Sequence, residues 1–569
     1  MNEELLKYFD NDDLASNVWE SKYQVKNGNK PIEITPTDMH RRLAKEFAKV
    51  EKQYILKLED KAHCYNDLSE AGKKYYHYGQ NLCYNGLLDK VEEDIFSYFD
   101  RFSQIVPQGS IMSILGNPFK VGSLSNCFVV PAPLDSYGGI LYTDEHLVQL
   151  MKRRGGVGTN LNNLRPTKTP VTNSAGTSTG VPSFAERYSN TTREVAQEGR
   201  RGALMLLLSV KHPDIFKFVT MKSDRTKVTG ANISVMLTDK FMKAVDQDND
   251  FICTFPVDME VEQIHLDAVE YEPYNELIKV GEKYGYAMRI EAKKLFDLIV
   301  EMAWENAEPG VAFMDRVIDY SPEGVYKFYI PIASNPCGEQ WMQAYDACRL
   351  MALNFFSIVD NPFDANASIN YEKLYEIAYM QQRLADDLVD LEIQHIEAII
   401  NKIHNDPEPN YIKENELELW NNILHTCKAG RRTGCGFTAL GDMLAALGLK
   451  YDSEEAMVII DRVMRTKMEA ELDCTIDMAL LRGTFKGWDS ELEFGKIEIS
   501  NKAVLGRTKV NLKYPNGEVY NADSKRVGNQ FYETILLEFT IQAIRMSRFG
   551  RRNVSWSTVA PTGTVNKFA

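Results

Sequence analysis

The sequence predicts an α/β protein in which an N-terminal helical lobe precedes a larger region of strands, helices and loops. Residues 1–100 are dense in Glu, Lys, Leu, Tyr and Asp, and residues 39–47 carry apolar side chains at helical spacing. From Gln104 to Gly230, glycine, serine and short β-branched runs such as 126–130 are typical of strands joined by turns. We therefore predict a helical lobe over residues 1–100 and an α/β domain over residues 101–569.

Three helices and one loop are predicted within the larger region. A helix is expected from Thr143, which can cap it, through the basic residues 152–154, with Gly155 as its stop. Residues 286–306 have the pattern of an amphipathic helix, and residues 371–403 that of a long one. The polar stretch 405–415, which contains two prolines, predicts an exposed loop.

Composition and charge exclude several classes of protein. The 569 residues include 65 basic and 80 acidic side chains, so the net charge is −15, which argues against nucleic-acid binding through bulk positive potential. No apolar run of about 18 residues is present, so no membrane partner is expected. The nine cysteines lack CxxC or Cys/His spacing, which predicts no metal site and a reducing, cytoplasmic location.

Residues 335–339 bring three chemically reactive side chains together. Asn335, Cys337 and Glu339 stand at alternate positions, and alternate side chains of an extended segment share a face. Pro336 and Gly338 disfavour a central strand, so the segment is predicted to be an extended loop tip. Taken alone, the pattern favours a structural cysteine beside a turn over a reactive one.

Six segments in order along the chain resemble motifs of the catalytic subunit of ribonucleotide reductases. They are residues 107–112, 125–127, 200–203, 334–339, 346–350 and 560–564. The resemblance implies most of that family's ten-stranded α/β barrel, with Cys337 on a finger loop through its centre. It also implies radical-based reduction of ribonucleotide di- or triphosphates to 2′-deoxyribonucleotides. The segments around Ser110, Arg200 and Cys337 look most like the adenosylcobalamin-dependent, class II branch, so adenosylcobalamin is the expected cofactor.

The same resemblance implies roles for five side chains. Cys337 would carry the transient thiyl radical that abstracts the ribose 3′ hydrogen. Glu339 would act as general base toward the 3′-hydroxyl, and Asn335 would hydrogen-bond the same edge of the sugar. Cys127 and Cys348 would reduce the substrate and close to a disulfide in each turnover. The sequence does not show whether their Cα atoms lie within the roughly 7 Å that a disulfide needs.

Substrate and effector contacts are implied by the resemblance as well. The residues expected to bind substrate are Ser110, Ser125, Asn126, Pro561, Thr562, Gly563 and Thr564. Residues 561–564 can form a tight turn whose N–H groups and hydroxyls face phosphate. The residues expected to bind a nucleoside triphosphate effector are Asp135, Ser136, Gln197 and Arg201. Residues 155–158 are not a Rossmann fingerprint, since they follow a helix rather than a strand.

The implied partners are a ribonucleotide, a thioredoxin-like reductant and a second copy of the chain in a homodimer. The chain ends five residues after Thr564, where relatives continue with barrel strands and a cysteine-bearing tail, so a second polypeptide is expected to supply them. Two alternatives stay open. One is a class I subunit that receives its radical from a separate metal subunit, and the other is a catalytically inert nucleotide-binding fragment. Retention of all five side chains with implied catalytic roles disfavours the inert fragment.

Overall fold

The structure is a computed structural model, and it describes most of the chain. The described residues are 2–197, 200–259, 261, 277–280, 285–504, 507–513, 519–520, 528–563 and 567–568. For residues 196–197, 200–201, 496–504, 507–513 and 519–520, the description covers the backbone only.

The N-terminal region is helical, as the sequence predicts. Its main helix, Pro36–Ile55, begins where proline occupies the first turn and the Asp38 carboxylate accepts a hydrogen bond from the Thr35 backbone N–H at 3.1 Å. Its apolar stripe is fully buried, and this confirms the helical periodicity of residues 39–47. The other helices of this region are Glu3–Tyr8, Asp13–Lys22, Glu70–Tyr84 and Lys90–Phe99, with 3₁₀ turns at Glu59–Asp67 and Asp100–Phe102 and short strands at Lys26–Asn27 and Lys30–Pro31.

A six-stranded sheet forms the centre of the larger region. Its strand order is Gly310–Phe313, Asn232–Leu237, Leu204–Ser209, Gly156–Asn160, Cys127–Val129 and Ala347–Cys348. The first five strands run parallel and the sixth is antiparallel to its neighbour. The three middle strands of the parallel set are joined by helical crossovers, and those at 156–160 and 204–209 are buried along their whole length.

A second, three-stranded sheet continues from the sixth strand of the first. Its strand order is Gly434–Thr438, Leu350–Asn354 and Ile105–Pro107, and only Arg349 separates Leu350 from Cys348. The strands at 350–354 and 434–438 run parallel, and Cys435 forms a parallel bridge with Ser557. One chain segment, residues 347–354, therefore connects the two sheets and fixes Cys348 at their junction.

The remaining elements surround these sheets. The helices are Gly109–Ile114, Tyr137–Met151, Val181–Glu194, Ile215–Thr220, Asp239–Asp246, Ala292–Asn306, Met314–Asp319, Tyr371–Asn405, Asn410–Gly430, Leu440–Ala446, Glu454–Arg482, Ser490–Phe494, Gln530–Glu538 and Thr540–Phe549, with a 3₁₀ turn at Phe355–Ile358. The other strands are Ala196–Gln197, Arg200–Arg201, Asp250–Phe255, Ile278–Lys279, Tyr286–Glu291, Ala333–Ser334, Trp341–Met342, Val359–Asp360, Ser368–Ile369, Lys496–Val504, Arg507–Lys513 and Val519–Tyr520.

Three predicted boundaries are wrong. The helix expected from Thr143 begins at Tyr137, because Ser136 caps it by accepting the Gly139 backbone N–H at 3.0 Å. Residues 286–306 divide into a strand, Tyr286–Glu291, and a helix, Ala292–Asn306. The predicted loop at 405–415 shortens to the four residues between two helices, since helix Asn410–Gly430 begins directly after Pro409.

The α/β class with a helical N-terminal region is confirmed. Closure into a ten-stranded barrel and a domain boundary near residue 100 stay predictions. Within the described part of the chain, no helix combines the length and apolar composition that crossing a membrane requires.

Candidate active site

The Cys337 segment is the tip of a short hairpin. Strands Ala333–Ser334 and Trp341–Met342 pair antiparallel, and the Asn335 carbonyl accepts the Gly338 backbone N–H at 3.0 Å across a β-turn. Proline at the second turn position and glycine at the fourth are favoured in such turns. Gly338 has φ of +82°, which glycine adopts without strain. The loop tip predicted from Pro336 and Gly338 is confirmed.

Two glycines let the hairpin lie directly against the parallel sheet. A Cβ atom at Gly158 would overlap the Ser334 carbonyl, and one at Gly156 would lie 2.9 Å from Pro336 Cγ. Gly156 and Gly158 therefore have a packing role here. They allow the close backbone approach that places the Cys337 turn beside the sheet.

Two asparagines at the sheet bind the hairpin backbone. Asn160 Nδ2 donates to the Ile332 carbonyl at 3.1 Å, and Asn232 Nδ2 donates to the Pro336 carbonyl at 3.2 Å. These bonds tie both the base and the tip of the hairpin to neighbouring strands. The Cys337 turn is thus positioned by the sheet rather than by its own two-residue strands.

Gly158→Ala is expected to lower the free energy of unfolding by about 1–3 kcal/mol, because overpacking against backbone leaves no flexible atom to yield. Thermal denaturation followed by circular dichroism measures the effect. Gly441→Ala is the matched control, since a Cβ there meets open space in helix Leu440–Ala446 and should be neutral or stabilising. Equal melting temperatures for the two variants would contradict the close hairpin contact.

The structure brings Cys127 and Cys348 together. They face each other as register partners where strand Cys127–Val129 pairs antiparallel with Ala347–Cys348. Directly opposed residues of an antiparallel pair have Cα atoms about 4.5–5.5 Å apart, which is within disulfide range. Both thiols are buried, and the two sulfurs are not joined by a disulfide. The pairing of two strands that are distant in the sequence therefore brings Cys127 and Cys348 close together, which the sequence alone does not show.

Asn335 connects one of these thiols to the carboxylate of the hairpin. Its Nδ2 group donates to Cys127 Sγ at 3.2 Å and to Glu339 Oε2 at 2.7 Å, while its Oδ1 accepts the Gln340 backbone N–H at 3.0 Å. Asn335 is fully buried. The hairpin side chains and the Cys127–Cys348 pair consequently form one hydrogen-bonded cluster.

Burial raises the pKa of every acidic group in this cluster. Loss of water, reinforced by the Glu339 charge, raises the pKa of the Cys127 and Cys348 thiols far above the ordinary value, and raises that of Cys337 less. Burial also raises the pKa of Glu339, and the Asn335 hydrogen bond partly opposes this. All three thiols thus keep their hydrogen at neutral pH. That favours hydrogen transfer over thiolate nucleophilic chemistry.

A buried ion-pair chain fixes the segment before Cys348. Arg432 Nε donates to Asp346 Oδ2 at 2.7 Å, and Arg432 Nη1 donates to Glu323 Oε1 at 2.6 Å. All three side chains are buried. Removing one partner would leave an uncompensated buried charge. Asp346 is therefore held firmly two residues from the Cys348 thiol.

The predicted substrate residues before Cys127 fall into two groups. The Ser110 backbone N–H donates to Asn126 Oδ1 at 2.8 Å, so these two residues lie together beside Cys127. The fully buried Ser125 hydroxyl instead donates to Glu392 of helix Tyr371–Asn405 at 2.9 Å. Ser125 thus has a bond within the fold, and its expected substrate contact stays a prediction.

The predicted phosphate turn begins close to the hairpin. The Thr558 hydroxyl donates to the Glu339 carbonyl at 3.2 Å, three residues before Pro561. Pro561 and Gly563 are exposed and Thr562 is half-buried. Thr564 lies outside the described residues.

Two of the four predicted effector residues, Asp135 and Ser136, line a surface cavity of about 240 Å³. Asp135 accepts hydrogen bonds from the Arg165 backbone N–H at 3.0 Å and from its Nε at 2.6 Å. Ser136 caps the adjoining helix, and both residues line the cavity with Arg165 and Phe184. Gln197 and Arg201 lie on a two-stranded ladder, but their side chains are outside the described part of the chain.

Sequence reasoning missed several residues of the site. They are Gln340, which contacts Cys348; Thr558, which contacts the hairpin; Glu392, which binds Ser125; and Arg165, which binds Asp135. Gln340 directly follows the predicted cluster, so its position was a usable signal. The other three come from distant segments, and their contacts depend on tertiary structure.

The fold and the site define a class of α/β protein in which a hairpin thiol lies beside a buried cysteine pair. The chain belongs to the family described as ribonucleotide reductase, barrel domain, whose sequence profile matches residues 125–568. The resemblance inferred from the six motifs is thereby confirmed.

Curated relatives of the chain carry names from the same family. A protein of Thermoplasma acidophilum named vitamin B12-dependent ribonucleoside-diphosphate reductase is 27% identical over 518 residues, which are 86% of this chain and 60% of that protein. One of the same name from Mycobacterium tuberculosis is 29% identical over 66% of this chain and 46% of its own length. A ribonucleoside-diphosphate reductase large chain 2 of Saccharomyces cerevisiae is 27% identical over 64% of this chain and 40% of its own. The chain thus spans less than two thirds of the length of these relatives.

Proposed function

We propose that the protein reduces ribonucleotides to 2′-deoxyribonucleotides by thiyl-radical chemistry. The observation that carries this proposal is the register pairing of Cys127 with Cys348 directly beside the Cys337 hairpin. The names of the relatives favour ribonucleoside diphosphates over triphosphates as substrate. The alternative of an inert nucleotide-binding fragment is disfavoured by the intact hydrogen-bonded cluster.

The three cysteines of the cluster can supply the radical, the electrons and the protons that the reaction requires. The Cys337 thiyl takes the ribose 3′ hydrogen reversibly and returns it at the end. Cys127 and Cys348 together give two electrons and two protons. The C2′–O bond breaks, a C2′–H bond forms, the hydroxyl leaves as water, and the pair closes to a disulfide. A thioredoxin-like dithiol is the reductant that reopens it.

Glu339 and Asn335 handle the proton of the 3′-hydroxyl. Glu339 accepts it as general base, and Asn335 holds the carboxylate in place through its 2.7 Å hydrogen bond. Burial of the carboxylate brings its pKa closer to neutral pH, where a general base is most effective.

Adenosylcobalamin is the proposed radical source, since two relatives carry a vitamin B12-dependent name. The residues present fit such a group in one testable respect. Cys337 is exposed at the hairpin tip, while the Cys127 and Cys348 thiols are buried. When bound, the cofactor would supply a carbon-centred radical that takes the Cys337 hydrogen. Cys337, which is exposed, and Gly338, which is half-buried, would face the group.

The single-turnover rate should rise with pH through the raised pKa of Glu339, because only the ionised carboxylate accepts a proton. This acid limb should lie above the pH range in which an ordinary glutamate titrates. Glu339→Gln should remove the limb and lower the rate by about 10²–10⁴-fold. Glu301→Gln, at an exposed helix position, is the control and should leave the profile unchanged. An unaltered profile in Glu339→Gln would contradict the assignment.

The Asp135 cavity is the proposed site of a nucleoside triphosphate effector, at the interface of a homodimer. Asp135→Asn should weaken deoxynucleoside triphosphate binding roughly tenfold, because it loses the charge-assisted bonds that hold Arg165 at the cavity. Isothermal titration calorimetry measures this. Asp144→Asn breaks a comparable ion pair, with Arg187, on the adjoining helix Tyr137–Met151 but outside the cavity, and should bind normally. Equal weakening in both would place the effector elsewhere.

A single-turnover assay tests the proposed function. Reduced protein would be mixed with cytidine diphosphate, adenosylcobalamin and a deoxynucleoside triphosphate without external reductant, and deoxycytidine diphosphate measured by chromatography. Up to one product per chain is expected. Product that forms only with an added metal-containing subunit would instead favour the class I alternative. No product under either condition, with cytidine triphosphate tested in parallel, would contradict the proposal.

The free cysteines fit a reducing compartment, so the cytoplasm is the proposed location.

A further inference from the structure

Gln340 is a buried hairpin residue that contacts the second redox thiol. Its Oε1 atom accepts the hydrogen bond of the Cys348 thiol at 3.5 Å, and only 4% of the residue is exposed. Its backbone is fixed by two bonds with Asn335, since its N–H donates to Asn335 Oδ1 at 3.0 Å and its carbonyl accepts the Asn335 N–H at 3.1 Å. The amide oxygen is therefore presented to Cys348 from a rigid position.

Each thiol of the pair is thus hydrogen-bonded to the hairpin. Cys127 Sγ accepts from Asn335 at 3.2 Å, whereas the Cys348 S–H donates to Gln340. Although their strand register puts the two residues face to face, the Cys348 hydrogen points to the hairpin. Closing the disulfide requires Cys348 to give up both this bond and its proton.

We propose that Gln340 is a positioning residue that holds Cys348 as a protonated thiol turned toward the hairpin, and so slows closure of the Cys127–Cys348 disulfide until substrate is reduced. That the delay lasts until substrate is reduced rests on the proposed function. The effect on disulfide closure stands independently, because any two-electron oxidant that takes two electrons and two protons from the pair must break the same bond.

Other charged groups around Cys348 set the background for this effect. Glu339 on the hairpin and Asp346 on its own segment favour the protonated thiol, while Arg349 and Arg432 favour the thiolate. Cys127 and Cys435 are the neighbouring thiols. Gln340 differs from all of these by accepting a hydrogen bond from the thiol, which stabilises the protonated form specifically.

Oxidation by diamide without substrate tests the proposal. The rate of Cys127–Cys348 disulfide formation is followed by peptide mass spectrometry. Gln340→Met removes the acceptor at similar volume and should speed closure roughly three- to tenfold, with the pH profile of the rate moved to lower pH. Gln340→Glu places a carboxylate acceptor there and should slow closure. Gln343→Met is the matched control, because Gln343 is a nearby buried amide without a hydrogen-bond partner among the described residues.

The expected result is opposite signs for the Met and Glu variants and an unchanged rate for the control. A Met variant that closes no faster than wild type, or a control that accelerates equally, would overturn the proposal. If circular dichroism shows that Gln340→Met is unfolded, Gln340→Glu decides, since an unchanged or faster rate would overturn it. Absence of deoxynucleotide formation in the single-turnover assay would contradict the proposed function and leave this result standing.

Discussion

Cys337→Ser is expected to abolish ribonucleotide reduction completely, including exchange of the ribose 3′ hydrogen. An alcohol O–H bond is much stronger than a thiol S–H bond, so no radical is generated at the hairpin tip and no later step begins. The substitution should leave the fold intact, because Cys337 is exposed at the end of the β-turn. Deoxynucleotide formation and release of tritium from 3′-labelled substrate measure the two losses.

Cys83→Ser is the matched control for this variant. Cys83 is also an exposed cysteine, on helix Glu70–Tyr84 in the N-terminal region, and its substitution should change neither measurement. Normal product formation by Cys337→Ser would overturn the radical mechanism. Loss of activity in both variants would show that removing any exposed thiol inactivates the protein, and would contradict a specific role for Cys337.

Cys127→Ser or Cys348→Ser is expected to separate radical initiation from reduction. Cys337 remains, so the 3′ hydrogen of the ribose should still exchange. Because only one of the two facing cysteines is left, the pair can no longer supply two electrons, and clean reduction of the substrate should stop. Each variant should therefore release tritium without accumulating deoxynucleotide. Dithiothreitol-driven turnover, with product measured by chromatography, gives the quantitative comparison.

Cys253→Ser serves as the control for the buried pair. Cys253 is fully buried in strand Asp250–Phe255, and its thiol donates to the Val210 carbonyl rather than meeting a second cysteine. It should turn over normally. Sustained multiple turnover by either Cys127→Ser or Cys348→Ser would mean that the redox pair is misassigned.

Local patterns predicted the parts of the fold that depend on local physics. The apolar spacing of residues 39–47 gave a helix because one face of it is buried, and helix Tyr371–Asn405 matches its predicted range closely for the same reason. The predicted cap, Thr143, lies seven residues after the actual cap, Ser136, because Gly138 and Gly139 have low helix propensity and so hide the first turn from a pattern-based prediction.

The candidate site depended on long-range contacts that no local pattern contains. The resemblance to a family gave Cys127, Cys348 and the hairpin residues, but only strand register places the two thiols face to face. Gly158 is evident in the sequence, but the requirement for glycine there comes from the Ser334 carbonyl, which leaves no room for a side chain. Gln340 was likewise visible, and its contact with Cys348 follows from how the hairpin meets the strand.

Peptide mapping after one turnover tests the central claim most directly. Reduced protein would be allowed to convert substrate without external reductant, then quenched in acid, alkylated, digested and analysed by mass spectrometry. The account predicts one Cys127–Cys348 disulfide for each deoxynucleotide formed, with Cys337 recovered as an alkylated thiol. Deoxynucleotide formed without this disulfide, or with a disulfide that includes Cys337, would contradict it.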